Sequence, residues 1–540
     1  MSDLLLVNGR LHTQDARYSR ATAVAIRGNR VRAVGSDEEI LDLSGPDAQV
    51  IDLQGQLVLP GFTDGHFHYY DWSLGLRRLP LADVDSLAAL KRRLADRARE
   101  VPVGDWILGQ GWNESRWPEP RIPTRADLDA VAPHHPVILW RNDLHLAVVN
   151  SEALERAGIA ADTANPPEGV IGRDAAGQAT GVLRELAINL VTDVIPPPAE
   201  EETVDAMRDG FGILHRLGVT GVHDYRIMGG ADGPPAFRAY QHLQAAGELA
   251  LRMWMHIPGE RLDDAIALGL RTGMGDDCLR VGHVKLFSDG GQGARTAWML
   301  EPYQDTGECG MPLTPMDEIA HAVESADRAG LSVAIHAIGD RANRELIGVF
   351  EQVLRNEREA ETAPSVAPHR IEHVQMIRPE DVARLAQLGV VASVQPIHCP
   401  DDIPMVETSV GPRGRFAYPF RDMQEAGVKM AFGSDCPVAS PNPMFGIHAA
   451  VTRQTRDGTP EGGWYPEQRL TVAEAVWGFT MGTAVVSGRE AILGSITPGK
   501  LADLVVLDKD ILALGETAPM EIAQAQVAMT VFDGRIVYEQ

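Results

Sequence analysis

The chain has 540 residues, which is long enough for a large hydrophobic core and additional elements. It is 44% hydrophobic and 23% charged, an ordinary composition for a globular protein. Its net charge of −26 argues against nucleic acid or an anionic membrane as a partner. No apolar stretch reaches the roughly 20 residues needed to span a bilayer, and the first ten residues lack the basic lead of a signal peptide. A cytoplasmic location is therefore expected.

Short, mostly apolar stretches that are typical of strands occur at both chain ends. Leu4–Val7 and Ala23–Ile26 show this pattern near the N-terminus, and Ala502–Leu507 shows it near the C-terminus. Because an isolated hairpin is barely stable, the two ends are expected to combine. We predict one small β-sandwich formed by residues 1–56 and 491–540.

The middle of the chain alternates short apolar strands with amphipathic helices. The first of these strands is Leu57–Leu59, and the last is Val428–Gly433. Eight such strands can be counted, each mostly apolar, as parallel strands buried on both faces are. This pattern predicts an α/β fold, a (β/α)₈ TIM barrel over residues 57–490.

One connection in the barrel is longer than the others. About 130 residues separate His68 from the helix before the second strand, too many for a structureless loop. We predict that residues about 69–200 form an inserted subdomain over the barrel mouth. Its segments around Trp112 and His145 are aromatic and polar enough to line a substrate pocket, although each tryptophan fits the insertion's own core equally well.

Metal-binding side chains follow the predicted barrel strands at their carboxyl ends, where barrel enzymes have their active sites. His66 and His68 lie two residues apart, so on an extended backbone they face the same side and can share one metal ion. Each residue alone also fits a packed histidine or a helix-capping aspartate. The full set predicts a metal centre: His66, His68, Lys285, His336, His373 and Asp435.

Lys285 is the most informative member of this set because it lies inside a predicted buried strand. Burial disfavours the charged ammonium, lowers its pKa and makes the neutral amine accessible. A neutral amine can take up carbon dioxide and form a carbamate, whose two oxygens can bridge two cations. An ion pair with Asp289 or Asp435 is the alternative. His283, two residues earlier, is expected to pack rather than to bind metal.

Several motifs together carry a resemblance to a known family. The motifs are Pro60–His68, Val284–Gly290, His336–Asp340, Glu372–His373 and Gly433–Val438. In combination they resemble the amidohydrolase superfamily and, within it, the YtcJ-like branch, which includes N-substituted formamide deformylase. The resemblance covers nearly the whole chain, from the sandwich ends through the barrel to the insertion.

The resemblance implies a role for each ligand. His66 and His68 are expected to bind the more buried metal ion, and His336 and His373 the more exposed one. A carboxylated Lys285 is expected to bridge the two ions. Some relatives use a single ion, so one or two ions per chain are expected. Zinc is favoured because the ligands are rich in nitrogen, and manganese, iron and cobalt are the alternatives that the ligand types leave open. Carbon dioxide enters as the lysine carbamate.

The implied activity is hydrolysis of a carbon–nitrogen bond other than a peptide bond, in an amide or an N-formyl amine. Metal-activated hydroxide attacks, and Asp435 binds the buried ion and acts as general base. Trp112, His145 and Asp289 are the candidate substrate contacts. The expected partner is a small-molecule substrate, and a homodimer is compatible with the sequence.

Two alternatives stay open. An amino-heterocycle deaminase needs one metal ion and no bridging lysine, so Lys285 speaks against it. A catalytically inert regulatory protein on the same scaffold would be expected to have lost ligands, and this chain has all six.

Overall fold

The structure is a computed structural model with two compact units in one chain. The first unit comprises Met1–Asp71 and Met207–Gln540, and the second is Trp72–Ala206. Within the described residues, no helix combines the length and apolarity needed to cross a membrane. The described residues are 3–19, 21–114, 117–141, 146–166, 169–360 and 365–540, without the side chains of 357–360.

The first unit contains an eight-stranded parallel sheet whose strands neighbour one another in chain order. Each strand is mostly buried, as expected for a sheet covered on both faces. The predicted α/β fold, a (β/α)₈ barrel, is therefore confirmed. The strands are β1 (Phe62–Phe67), β2 (Val219–Asp224), β3 (Arg252–Pro258), β4 (Leu279–Phe287), β5 (Val333–Ala337), β6 (Arg370–His373), β7 (Val391–Val394) and β8 (Met430–Phe432).

The first barrel strand differs from the prediction. Leu57–Pro60 does not belong to the barrel but pairs antiparallel with Leu504–Leu507, near the other chain end. The chain then passes Gly61, where a Cβ would lie 2.4 Å from the Oγ1 atom of Thr220, and enters β1. Because Pro60 and Gly61 end one strand and β1 begins at once, two consecutive strands of the chain belong to two different sheets. The prediction of Leu57–Leu59 as a barrel strand was wrong.

Strands from both chain ends form two sheets around one shared hydrophobic core. Leu6 and Val24 from one sheet pack in the same core as Val58, Leu504 and Val531 from the other. The domain limits themselves stay predictions. The four-stranded sheet contains Asp3–Val7, Ala23–Arg27, Arg30–Gly35 and Gln49–Asp52, and the five-stranded sheet contains Arg10–Leu11, Leu57–Pro60, Leu504–Leu507, Val527–Phe532 and Arg535–Glu539.

The barrel is closed by contacts between the residues that end β1 and those that follow β8. The amide of Asp435 donates to the carbonyl of His66 at 2.7 Å, and the amide of His68 donates to the carbonyl of Cys436 at 2.8 Å. Glycines permit this approach, since a Cβ on Gly65 would lie 2.7 Å from the Phe432 carbonyl oxygen. The closure brings the first and last predicted ligands together.

Helices follow the barrel strands and cover the sheet. Their ends carry ordinary signals: Pro379 begins one helix at its first turn, and Gly389, with φ of 72°, ends it. The helices after β2 to β8 are Gly233–Ala245, Leu262–Ala267, Met316–Arg328, Asp340–Ala360, Pro379–Leu388, His398–Val410, Phe420–Ala426 and Pro443–Thr452. Further α-helices are Asp37–Leu41, Tyr69–Gly75, Glu200–His215, Val472–Trp477, Thr483–Val486 and Ile511–Thr517.

The second unit is built on a mixed six-stranded sheet. Its hydrophobic residues form cores of their own on the sheet. The strands are Leu79–Pro80, Ile107–Trp112, Val137–Arg141, Leu146–Val149, Gly169–Arg173 and Ala179–Glu185, and the helices are Leu87–Glu100, Arg125–Asp129, Ser151–Arg156 and Asn189–Thr192.

Candidate metal centre

Three predicted ligands converge at the carboxyl ends of β1 and β8. The Oδ1 atom of Asp435 lies 3.4 Å from the Nε2 atom of His66 and 3.3 Å from the Nε2 atom of His68. One ligand atom from each residue falls within 4.8 Å of the others. Two imidazoles and a carboxylate are a donor set that suits zinc and related divalent ions. These residues form a possible metal site.

The orientation of His66 is set by Glu372, a buried member of the Glu372–His373 motif for which no positioning role was predicted. The Nδ1 atom of His66 lies 2.7 Å from the Oε2 atom of Glu372, and Glu372 has no exposed surface. A carboxylate in this position holds the proton on Nδ1, so Nε2 is left for a metal ion. Glu372 is therefore a positioning residue for the first ligand.

Glu372 is itself held by Arg370, two residues earlier on β6. The guanidinium donates to Glu372 at 2.6 Å and to the carbonyl of Gly65 at 2.7 Å, and both side chains are fully buried. The same guanidinium contacts the hydroxyl of Ser393 on β7. The array ties β1, β6 and β7 together beneath the ligands. The sequence indicates this array only through two charged residues, Arg370 and Glu372, in a strand that is predicted to be buried.

His336 and His373 lie next to the first three ligands. The ring centroid of His373 is 5.0 Å from that of His66 and 4.5 Å from that of His336. The Nδ1 atom of His373 contacts the amide oxygen of Gln395 at 2.8 Å, which leaves its Nε2 atom for a metal ion. The Nε2 atom of His336 lies 3.4 Å from the carbonyl oxygen of Gly290, which leaves Nδ1 available.

The backbone is strained at two of these ligands. His373 has φ of 73°, Val374 has φ of 42° and Asp435 has φ of 59°, all in the left-handed region that residues other than glycine rarely adopt. Such conformations cost of order 1–3 kcal/mol each and concentrate at functional sites. They occur at the end of β6 and after β8, where they turn the side chains of His373 and Asp435 towards one point.

Lys285 lies near the end of β4 and is 2% exposed. Its Nζ atom lies 4.9 Å from the ring centroid of Tyr225 and 4.6 Å from that of Phe287. Burial lowers the pKa of Lys285 to about 8. The side chain forms no ion pair within 4.0 Å with any residue that the structure describes, although the charges of Glu372 and Asp435 partly offset the effect of burial. A lysine in these surroundings fits the neutral form that carbamate formation needs.

His283 lies deeper in the same strand and is engaged by other groups. The indole N–H of Trp254 donates to its Nδ1 atom at 3.0 Å, and its Nε2 atom lies 3.0 Å from the carbonyl oxygen of Pro368. His283 therefore packs, as predicted, and does not face the ligands.

Asp289 holds the loops after β4 and β5 and has no exposed surface. Its carboxylate accepts backbone N–H groups of Trp298, Ile338 and Gly339 at 2.8, 3.0 and 2.8 Å. These bonds give Asp289 a structural role, and its role as a substrate contact stays a prediction.

Trp112 lies in the core of the second unit and has no exposed surface. Its indole N–H donates to the carbonyl of Leu139 at 3.0 Å, and its ring centroid lies 6.1 Å from that of Trp117. Full burial leaves no face for a ligand, which argues against its predicted role as a substrate contact. His145, the remaining candidate, lies outside the described residues.

We expect Trp112→Ala to destabilise the second unit and leave substrate preference unchanged. Replacing a buried tryptophan by alanine typically costs about 3–5 kcal/mol. The variant should therefore unfold at lower urea concentration while its metal content and its relative kcat/KM values among substrates stay as in the wild type. Trp106→Ala, which changes a partly exposed tryptophan of the same unit, is the control. A shift in substrate preference without loss of stability would restore the contact role.

We expect Glu372→Gln to weaken metal binding about 10–100-fold, the usual effect of losing a hydrogen-bond partner of a ligating histidine. The substitution removes the negative charge that fixes the tautomer of His66 and leaves Arg370 without its counter-ion. Metal affinity is measured by competition with a chelator, beside the urea midpoint. Asp503→Asn is the matched control because Asp503 pairs with buried Arg252 at 2.7 Å in a separate ion pair. Asp503→Asn should lose stability but keep metal affinity. Equal metal affinity in the wild type, Glu372→Gln and Asp503→Asn would contradict the positioning role of Glu372.

Comparison with known proteins agrees with this arrangement. Residues 49–538 match the family described as "Amidohydrolase family". The chain is 30% identical to the putative amidohydrolase YtcJ of Bacillus subtilis, over 98% of each protein, and 30% identical to N-substituted formamide deformylase of Arthrobacter pascens, over 100% of this chain and 99% of that enzyme. A solved structure of an uncharacterized metal-dependent hydrolase from Pyrococcus horikoshii superposes with a TM-score of 0.78 at 29% identity, covering 96% of this chain and 99% of the other. The chain belongs to the amidohydrolase family.

Proposed function

We propose that the protein is a metal-dependent hydrolase that cleaves a carbon–nitrogen bond other than a peptide bond, in an amide or an N-formyl amine. The observation that carries the proposal is the convergence of the His66 and His68 imidazoles on the Asp435 carboxylate, with Lys285, His336 and His373 beside them. The identity to N-substituted formamide deformylase over the full chain supports the N-formyl amine class.

Asp435 is the proposed general base. Burial alone would raise the pKa of this carboxyl, but His66 and His68 beside it outweigh burial and hold the pKa well below its ordinary value. The group is therefore ionised at neutral pH and can accept a proton from water as the substrate carbonyl is attacked. It can then return that proton to the departing nitrogen. When bound, a divalent metal ion would lower the pKa of the attacking water and polarise the substrate carbonyl.

The residues fit one or two ions, and zinc is the proposed metal. His66, His68 and Asp435 would hold one ion, and His336 and His373 have ring nitrogens available for a second. Lys285 as a carbamate would supply a shared anionic ligand between the two. Its burial against Tyr225 and Phe287, without an ion pair to a described residue, supports this assignment.

The proposal is tested with a metal-quantified preparation and a panel of N-formyl amines, N-acyl amino acids, cyclic amides, esters and amino-heterocycles. Release of formate or another carboxylate together with an amine is the expected result. Release of ammonia from an amino-heterocycle would instead establish the deaminase. A fully metal-loaded protein without turnover on any member would favour the regulatory alternative.

A further inference from the structure

A second charged depression lies at the opposite end of the barrel from the metal site. Arg280 is the second residue of β4, and Lys285 follows five residues later, about 17 Å along an extended strand. The depression has a volume of about 450 Å³, within the range of small-molecule sites. Its lining includes Arg271, Met274, Arg280, Val366, Ser487 and Arg489.

Arg489 is the most buried of its arginines, with 5% of its surface exposed. One terminal nitrogen donates to the carbonyl of Asp277 at 2.8 Å. Its Nε atom is buried and has no hydrogen-bond partner among the described residues. The Asp277 carboxylate stays 3.9 Å away and pairs with Arg30 at 2.9 Å instead. Arg489 is thus a buried cation without a close counter-ion in the described part of the chain.

The other two arginines add to this excess of positive charge. Arg280 donates through one terminal nitrogen to the carbonyl of Gly273 at 2.6 Å, and its Nε atom is also buried without a described partner. Arg271 is exposed, and its side chain lies against Gly330. Neither residue forms an ion pair with a described carboxylate, although the chain carries 75 acidic residues against 49 basic ones.

Arg280 and Arg489 oppose one another electrostatically. Burial, followed by the charges of Arg280 and Arg252, lowers the pKa of Arg489 to about 10. A bound anion would offset both the repulsion and the desolvation, and its oxygens would accept from guanidinium N–H groups. Guanidinium groups match the geometry of phosphate and carboxylate oxygens.

We propose that this depression binds the oxyanion group of a small molecule, a phosphate or a carboxylate, through Arg271, Arg280 and Arg489. The apolar side chains of Met274 and Val366 on its rim would contact the organic part of the ligand. The site is separate from the metal centre and does not depend on the proposed reaction.

The test is calorimetric titration of the metal-loaded protein with inorganic phosphate and, in a second arm, with acetate, at an ionic strength held constant with chloride. We expect phosphate or acetate to bind to the wild type and to bind about tenfold more weakly to Arg280→Gln and to Arg271→Gln, since each loses a charge-assisted hydrogen-bond donor. The stronger of the two anions identifies the oxyanion group. Arg216→Gln, which removes an exposed arginine elsewhere in the same unit, is the matched control and should bind as the wild type does.

Inhibition of turnover distinguishes binding of the same anion at the metal centre from binding at the arginines. Competitive inhibition of turnover, if present, should be equal in the wild type and in Arg280→Gln, whereas the calorimetric site at the arginines is weakened. Equal calorimetric affinity in the wild type and both variants, or no binding of either anion to any of them, would overturn the proposal. Arg271→Gln keeps the test decisive if Arg280→Gln fails to fold, because the Arg271 side chain is exposed.

Discussion

Asp435→Asn is expected to keep its metal and lose turnover by at least about 10²–10⁴-fold, the range contributed by a general base. The amide oxygen of asparagine can stay near the Nε2 atoms of His66 and His68, where the carboxylate oxygen lies now. It cannot accept a proton from water at neutral pH. The measurements are metal content by elemental analysis and kcat on the best substrate of the panel.

The control for this variant is Asp305→Asn, which makes the same chemical change in an exposed ion pair with Arg295 in the loop after β4. It should keep both metal and turnover. Near-normal turnover of metal-loaded Asp435→Asn would show that another group accepts the proton.

Lys285→Ala is expected to lose both metal and turnover, because it removes the ligand proposed to lie between the two ions. Acetate, a short carboxylate, should partly restore both by occupying the space that the lysine side chain leaves. Lys285→Arg should not be active, since a guanidinium stays protonated and forms no carbamate. Apoprotein reconstituted with zinc under bicarbonate depletion should regain activity slowly, and added bicarbonate should speed the recovery.

The carbamate itself is observable by ¹³C NMR after reconstitution with labelled bicarbonate. The labelled signal should be present in the wild type and lost in Lys285→Ala. A free ammonium on Lys285 in a fully loaded, active enzyme would rule out the bridged arrangement and leave a site with one ion.

The barrel and the positions of its candidate ligands could be predicted from sequence because both depend on repeated local patterns. Most strands contain a short apolar run, and parallel strands in a barrel bring their carboxyl ends to one face. His66, His336, His373 and Asp435 follow from reading only those ends. No distance was needed, because the topology alone makes these side chains neighbours.

The errors come from contacts between residues far apart in the chain. The apolar run Leu57–Leu59 fits a barrel strand locally, and only its pairing with Leu504–Leu507 assigns it to the terminal sheet. The sequence around Trp112 fits a hydrophobic core and a substrate pocket equally well, and its complete burial in the structure favours the core. Glu372 was overlooked as a positioning residue because its partner His66 lies 306 residues away.

The pairing of Leu57–Pro60 with Leu504–Leu507 has a consequence for synthesis on the ribosome. At translation rates of about 5–20 residues per second, the earlier strand waits roughly 20–90 seconds for its partner. During this time a fully apolar edge, which leads directly into β1, is available to chaperones or to other nascent chains. His66 is likewise synthesised long before Asp435, its neighbour in the candidate metal site. A polypeptide released before Leu504 would therefore expose the apolar edge of the strand Leu57–Pro60, and its five-stranded terminal sheet could not form. Premature termination should yield aggregates rather than a partly active enzyme.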